Sequence, residues 1–416
     1  MLPRSIYFYL FLVGISPWMA AQTNQPWQTF VDGAVAGHPA VQAAERAFRA
    51  ETLKVAPQAV PADPMVMAEF MKLPLAGASA GMRETQYSVT ENFPFPARLA
   101  MAAARQSRAA EAARWTLELR KRLVHREAVR TLLGLAYYDR ALEIGRERLA
   151  QYGLVESVVT ARYGVGKATQ SEWGRTKLMV AMARAELAMQ EGERAELAAT
   201  LRRLSPSNES ATAPALRFTA RPLATIPALE ELVAKAEASF PELRMQQAME
   251  SRMKAEKNLM GWEWAPDLSL RGTITQTEAG DLSATAGIGV SLPIWFAFRQ
   301  APNAAAASSM LEAEKARSRD TRAMVLEAVR MKHAAFTAAN RALEILEQTA
   351  SPQAAQVVEV ALKEYQVDRI GFTELLEALK SVSDTSLEVA RTRRVFGEQA
   401  EELRYYTGVR PLAELP

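Results

Sequence analysis

Two kinds of hydrophobic spacing alternate along the chain. Long stretches carry Ala, Leu, Val and Met at three- and four-residue intervals, the stripe of an amphipathic helix. Short stretches between them alternate apolar and polar residues, the signature of a strand with two unlike faces. In PDLSLRGTITQT, Leu268, Leu270, Gly272 and Ile274 fall on one side and Ser269, Arg271, Thr273 and Thr275 on the other. The next run sets Ala286, Ile288, Val290 and Leu292 against Thr285, Gly287, Gly289 and Ser291. Near the amino terminus Val66, Ala68 and Phe70 alternate in the same phase, with Glu69 on the polar side.

These patterns predict a helix over 27–56, a strand pair at 64–73 and 84–95, a long helix over 97–160 and a return helix over 168–204. The same order follows at 227–262, 266–277 with 284–296, 302–364 and 370–406. One offset of 202 residues aligns Tyr163 with Tyr365, Val165 with Val367, Glu172 with Glu374, His38-Pro39 with Phe240-Pro241, and Pro64 with Pro266. The chain therefore reads as an internal duplication, with repeats at 22–206 and 225–416 and a Ser-, Pro- and Ala-rich linker at 207–224.

Helix lengths favour one packing. At ~1.5 Å per residue, a helix of about 64 residues runs roughly 95 Å, nearly the summed length of the two shorter helices of its repeat. One long helix beside two stacked short ones puts the strands at one extremity and the YxV turn at the other. Leu375, Val382, Val389 and Phe396 recur every seven residues, as in a coiled coil, while a second seam beginning at Phe372 and Leu379 is interrupted at Ser386 and Arg393.

The strands have the length and alternation of outer-membrane barrel strands, about 9 to 11 residues, although a small soluble sheet with one buried face alternates equally well. Four strands are too few to close a barrel, whose known minimum is about eight. A membrane role therefore requires several subunits: eight strands from a dimer or twelve from a trimer.

Composition narrows the functions. The 50 basic and 47 acidic residues of the 416 are interspersed, so no surface of one sign points to nucleic acid. Cysteine is absent, and His38, His125 and His333 lie far apart, which removes thiolate chemistry and any evident metal site or enzyme centre. No cofactor is expected. Arg4, the apolar run Ile6–Ile15 and the small residues Ala20 and Ala21 have the plan of a secretory signal peptide over 1–21, with a short membrane anchor as the alternative. No later segment approaches the ~20 apolar residues of a spanning helix. Met245, Met249 and Met253 form one helical stripe that reads as packing rather than a metal site. Trp262 and Trp264, just before a strand, suit either an interfacial belt or the junction of helix and strand.

The duplicated order, the YxVG-type turn, and PFPARL (94–99) and SLPIWF (291–296) closing the second strands together resemble the outer-membrane efflux protein family, the TolC-type exit ducts. The likeness covers essentially the whole chain after the signal peptide. It implies a mainly α fold with a small β part, in which duplicated long α-hairpins form a periplasmic helical barrel. Four strands per subunit would contribute to a twelve-stranded outer-membrane barrel in a homotrimer. It further implies a passive duct in a tripartite pump, with outer-membrane lipid, a periplasmic adaptor and an inner-membrane transporter of the resistance-nodulation-division type as partners.

Through this resemblance, Glu172, Glu374 and Glu377 fall at the acidic positions of a periplasmic gate, and Tyr365 at the aromatic residue that holds it shut. Val165, Gly166, Val367 and Asp368 fall in the adaptor-contacting turns. The chain departs from the pattern at Asp368, at Ile370 and at Arg175, which stands where the second repeat has Glu377. PFPARL is similar to the PFPGKL of the heavy-metal cation branch, so metal cations are the expected substrate, with drug efflux or type I protein secretion as alternatives. Without the resemblance, Glu374 and Glu377 read equally as first-turn acids complementing a helix dipole, and the chain as a periplasmic coiled-coil scaffold.

Overall fold

The computed structural model describes residues 26–71, 84–204, 227–277, 279–367 and 369–409. The expected signal peptide (1–21), the linker (207–224) and Asp368 lie outside them. The elements are α1 (Pro26–Gly37), α2 (Pro39–Leu53), β1 (Met65–Met71), β2 (Glu84–Phe93), α3 (Pro96–Gly164) and α4 (Gln170–Leu204). They are followed by α5 (Leu229–Ser239), α6 (Pro241–Gly261), β3 (Asp267–Thr277), β4 (Leu282–Ser291), α7 (Gln300–Ile345), α8 (Ser351–Gln366) and α9 (Phe372–Thr407). Many boundaries recur at the 202-residue offset. The pairs include Pro39 with Pro241, Met65 with Asp267, Gly164 with Gln366 and Gln170 with Phe372.

Proline accounts for the main departures from the expected elements. The helices expected over 27–56 and 227–262 are each two helices, parted at His38 and Phe240, whose backbones are extended (ψ 127° and 123°). Pro39 and Pro241 force this, because a proline ring excludes the helical conformation from the residue before it, yet is well suited to the first helical position. The second long helix carries a π-turn at Leu346–Ala350 just ahead of Pro352, whereas α3 runs unbroken for 69 residues, roughly 100 Å. Pro352 has no N–H for the ladder and crowds the preceding turn, which the wider π-turn relieves. The last strand stops at Ser291 rather than 296. Pro293 follows, and 292–299 is irregular and turn.

Along its carboxy-terminal half α3 packs on α4 and α9, and along its amino-terminal half on α2 and α6. Near the middle, Val31, Leu132, Leu133, Leu201 and Leu204 form one core of α1, α3 and α4. The second repeat builds its counterpart from Leu232, Val329, Phe336, Leu343, Phe396 and Leu403. Within it the Phe336 and Phe396 rings stack at 5.0 Å. Phe240, Leu243, Val325 and Tyr405 join the repeats, with Leu119 and Leu123 of α3 packed against them. Arg393 interrupts its heptad seam because it pairs with Glu347 of the π-turn at 2.7 Å. Met245 packs on α3, where the Thr116 hydroxyl donates to its sulfur at 3.4 Å.

The strands form one antiparallel layer in the order β1-β2-β3-β4. Register puts Val66 opposite Val89, Tyr87 opposite Ile274, Phe93 opposite Leu268, and Leu268 and Leu270 opposite Val290 and Ile288, so these residues share one apolar face. The other face is polar and cross-linked, with Gln86 donating to Thr275 and Arg271 to Thr90, each at 3.2 Å.

Candidate functional site

The two reversals that end the hairpins are built alike. Val165 and Val367 take nearly the same backbone angles (φ −104°, ψ 13° and φ −103°, ψ 18°). The Lys167 N–H returns to the Arg162 carbonyl at 2.8 Å, and the equivalent Arg369 N–H to Glu364 at 2.9 Å. Each is the six-residue closure of a Schellman cap, and in the first repeat Gly166 supplies the left-handed residue (φ 72°) that such a cap needs. Both valines project into solvent, 71% and 64% exposed. A nonpolar side chain therefore stands out at each hairpin apex.

Immediately after each turn an acid begins the return helix. The Glu172 carboxylate accepts from the Thr169 N–H at 2.7 Å, and Thr169 accepts from the Glu172 N–H at 3.2 Å, a complete capping box. Glu374 accepts from the Gly371 N–H at 3.1 Å, the same half of the box with glycine in place of threonine. Both acids therefore serve their helix amino termini, where a negative charge also opposes the helix dipole. Glu377 makes no such bond and lies exposed one turn further along, in a groove between α8 and α9 that also presents Glu364 and Glu374. Arg175 is exposed on α4. Neither Arg175 nor Glu377 has an ion-pair partner among the described residues of the chain.

Tyr365 ties the repeats together. Its hydroxyl accepts from Arg162 Nη1 at 3.1 Å, and the same guanidinium lies 5.8 Å from its ring centre. Its counterpart Tyr163 instead stacks on Trp173 at 5.5 Å, with the Lys177 ammonium 3.9 Å from the Trp173 ring. Beneath these rings Val159, Phe372 and Leu376 are buried, and Ile370 packs into the neighbouring core of Tyr152, Val180, Leu375 and Leu379. Sequence reasoning singled out neither Arg162 nor Trp173. Trp173 directly follows the acid of the aligned turn, which is the available signal, whereas Arg162 contacts a residue 203 positions away.

At the opposite extremity Arg98, in the first turn of α3, holds Asp267 at the start of β3 through two bonds of 2.6 and 2.8 Å. Trp262 stacks on Phe95 at 5.4 Å, between helix and strand, and Trp264 remains half exposed. Among the described residues nothing covers the apolar face of the sheet: Val66 and Ile288 are each at least 75% exposed.

Solved structures share this fold over most of the chain. A membrane protein from Pseudomonas aeruginosa superposes with a TM-score of 0.81 at 16% identity, covering 92% of this chain and 90% of that one. The Campylobacter jejuni CmeC outer membrane channel gives 0.80 at 12% identity over 98% and 93%. The open state of the Neisseria gonorrhoeae MtrE outer membrane channel gives 0.76 at 14% identity over 94% and 90%. The chain has the outer-membrane channel fold. No protein-family model matches the sequence, nor does any curated protein. Among the described residues no helix is long and apolar enough to cross a membrane.

Proposed function

We propose that this chain is the outer-membrane exit duct of a tripartite efflux pump, a TolC-type channel that conducts substrate passively. The observation that carries the reading is the sheet, which among the described residues is one layer with its apolar face uncovered and with β1 and β4 each paired on one side only. Lipid would cover that face, and three copies would join their open edges into a twelve-stranded barrel with the polar faces inward. The helices would extend the duct through the periplasm, placing both valine-tipped turns where an adaptor docks. Val165, Gly166, Val367 and Asp368 are the contact residues of that reading, and an inner-membrane transporter of the resistance-nodulation-division type completes the pump. Fractionation tests it directly: extraction should need detergent, and recovery of a monomer from the soluble periplasm would overturn the reading.

The finer proposal is a gate at the turn end that passes metal cations. Glu172, Glu374 and Glu377 would each become a ring of three carboxylates around a three-fold axis, attracting cations and opposing anions. Tyr365 and Arg175 would set how tightly the tips close. Because Glu172 and Glu374 also cap helices, alanine would remove charge and cap together. Glutamine keeps an acceptor oxygen, so Glu374→Gln with Glu377→Gln isolates the charge. Single channels of that variant in planar bilayers are expected to lose cation selectivity by at least twofold, and an unchanged reversal potential would exclude the ring.

A further inference from the structure

On the side of the sheet away from its apolar face, β2, β3 and β4 carry only polar residues and glycine. Gln86 pairs there with Thr275, Ser88 with Thr273, and Thr90 with Arg271, and beyond them Thr275 with Ser283 and Thr273 with Thr285. The first strand departs from this rule. Its register sets Met65 opposite Thr90, Met67 opposite Ser88 and Glu69 opposite Gln86, so two thioethers and a carboxylate stand in line on the polar side. Both methionines are open, 50% and 38% exposed. Contact with lipid does not account for them, because Val66, Ala68 and Phe70 hold the other side of β1. Nor does the duplication: 202 residues on, the same positions of β3 are Asp267, Ser269 and Arg271.

We propose that Met65 and Met67 form a thioether site for a soft monovalent metal cation, Cu(I) or Ag(I), on the lumenal side of the strands. The inference rests on the duct reading and narrows its metal cations to soft ones. Residues two apart on a strand face stand ~6.7 Å apart, and the three rotatable bonds of methionine let both sulfurs swing onto one ion between them. Thioether sulfur is neutral and polarizable, which suits Cu(I), whereas Mg(II), Ca(II) and Mn(II) favour oxygen and Zn(II) favours imidazole, thiolate and carboxylate. Glu69, the next residue on this face, supplies the balancing charge. Two neutral donors hold an ion loosely, as conduction requires, since a site in a channel must release what it binds. Met245, by contrast, is turned to α3, where Thr116 donates to its sulfur.

Ag(I), which resists the redox changes of copper, is the probe. Full-length protein in detergent and chloride-free buffer is titrated with Ag(I) by calorimetry. Met65→Leu/Met67→Leu keeps volume and apolarity and is expected to bind one Ag(I) fewer per chain than the parent. Met310→Leu/Met324→Leu removes two thioethers of α7 that are each at least 55% exposed but ~21 Å apart along the helix, and should bind as the parent does. Excess Zn(II) should leave the strand site filled. Equal Ag(I) stoichiometry in the parent and the strand variant, or displacement by Zn(II), would overturn the site. If that protein still needs detergent for extraction and still prefers cations in planar bilayers, the duct and its gate stand without it. Recovery from the soluble fraction would instead remove the duct reading, and the lumenal role of the methionines with it.

Discussion

The bond from Arg162 to Tyr365 links the two reversals, and its loss is measurable. Tyr365→Phe removes the acceptor and leaves the ring, and is expected to cost about 0.5–1.5 kcal/mol in thermal unfolding of detergent-solubilised protein; an unchanged midpoint would show the bond contributes nothing. A second residue-scale prediction concerns acid. Glu401 is buried between His125, at 3.0 Å, and Arg404, at 2.8 Å. Burial alone would raise its pKa, but the hydrogen bonds from His125 and Arg404 and the nearby guanidinium outweigh burial and hold it below the usual 4.5. A carboxyl lowered in the folded state contributes stability that is complete above its unfolded value and lost as pH falls through the folded one. Glu401→Gln should therefore lose less stability than the parent as pH falls through 4.5 and below, and equal acid sensitivity would show that Glu401 is not the source. At this scale the sequence was partly legible. The 202-residue offset exposed Glu172 and Glu374 as equivalents, and the structure gives them equivalent capping bonds. The partners of Tyr163 and Tyr365 were not legible, because identical residues in aligned turns meet different neighbours, Trp173 in one case and Arg162 in the other.

Helix and strand order and the position of both turns were readable because hydrophobic period and proline report directly on backbone geometry. Pro39 and Pro241 marked helix starts, and the same residues also end the helices before them, which the continuous apolar pattern concealed. Nothing in the pattern announced the π-turn, since the heptad repeat belongs to α9 and the disturbance lies in its partner. Pro352→Ala should let α7 and α8 merge into one helix like α3, and amides around 350–354 should exchange more slowly with deuterium. Unchanged exchange would assign the π-turn to the Glu347–Arg393 pair instead. The stacked Phe336 and Phe396 join α7 to α9 in the second core. Phe396→Ala is expected to destabilise by about 3–5 kcal/mol, read as a lower denaturation temperature, and a loss below ~1 kcal/mol would mean that the core collapses into the gap.

For the whole molecule, periodicity established the elements, whereas one copy leaves surfaces open that periodicity does not explain. The sheet is the clearest case: its apolar side, from Val66 to Ile288, and its outer edges at β1 and β4 are unsatisfied in one copy. On the duct reading, strand pairing, entry into lipid and association with other copies would become a single thermodynamic event. The measured stability would then depend on how much of the protein is present. Unfolding midpoints in detergent should rise with protein concentration, and a newly exported copy would stay dependent on chaperones until its neighbours arrive.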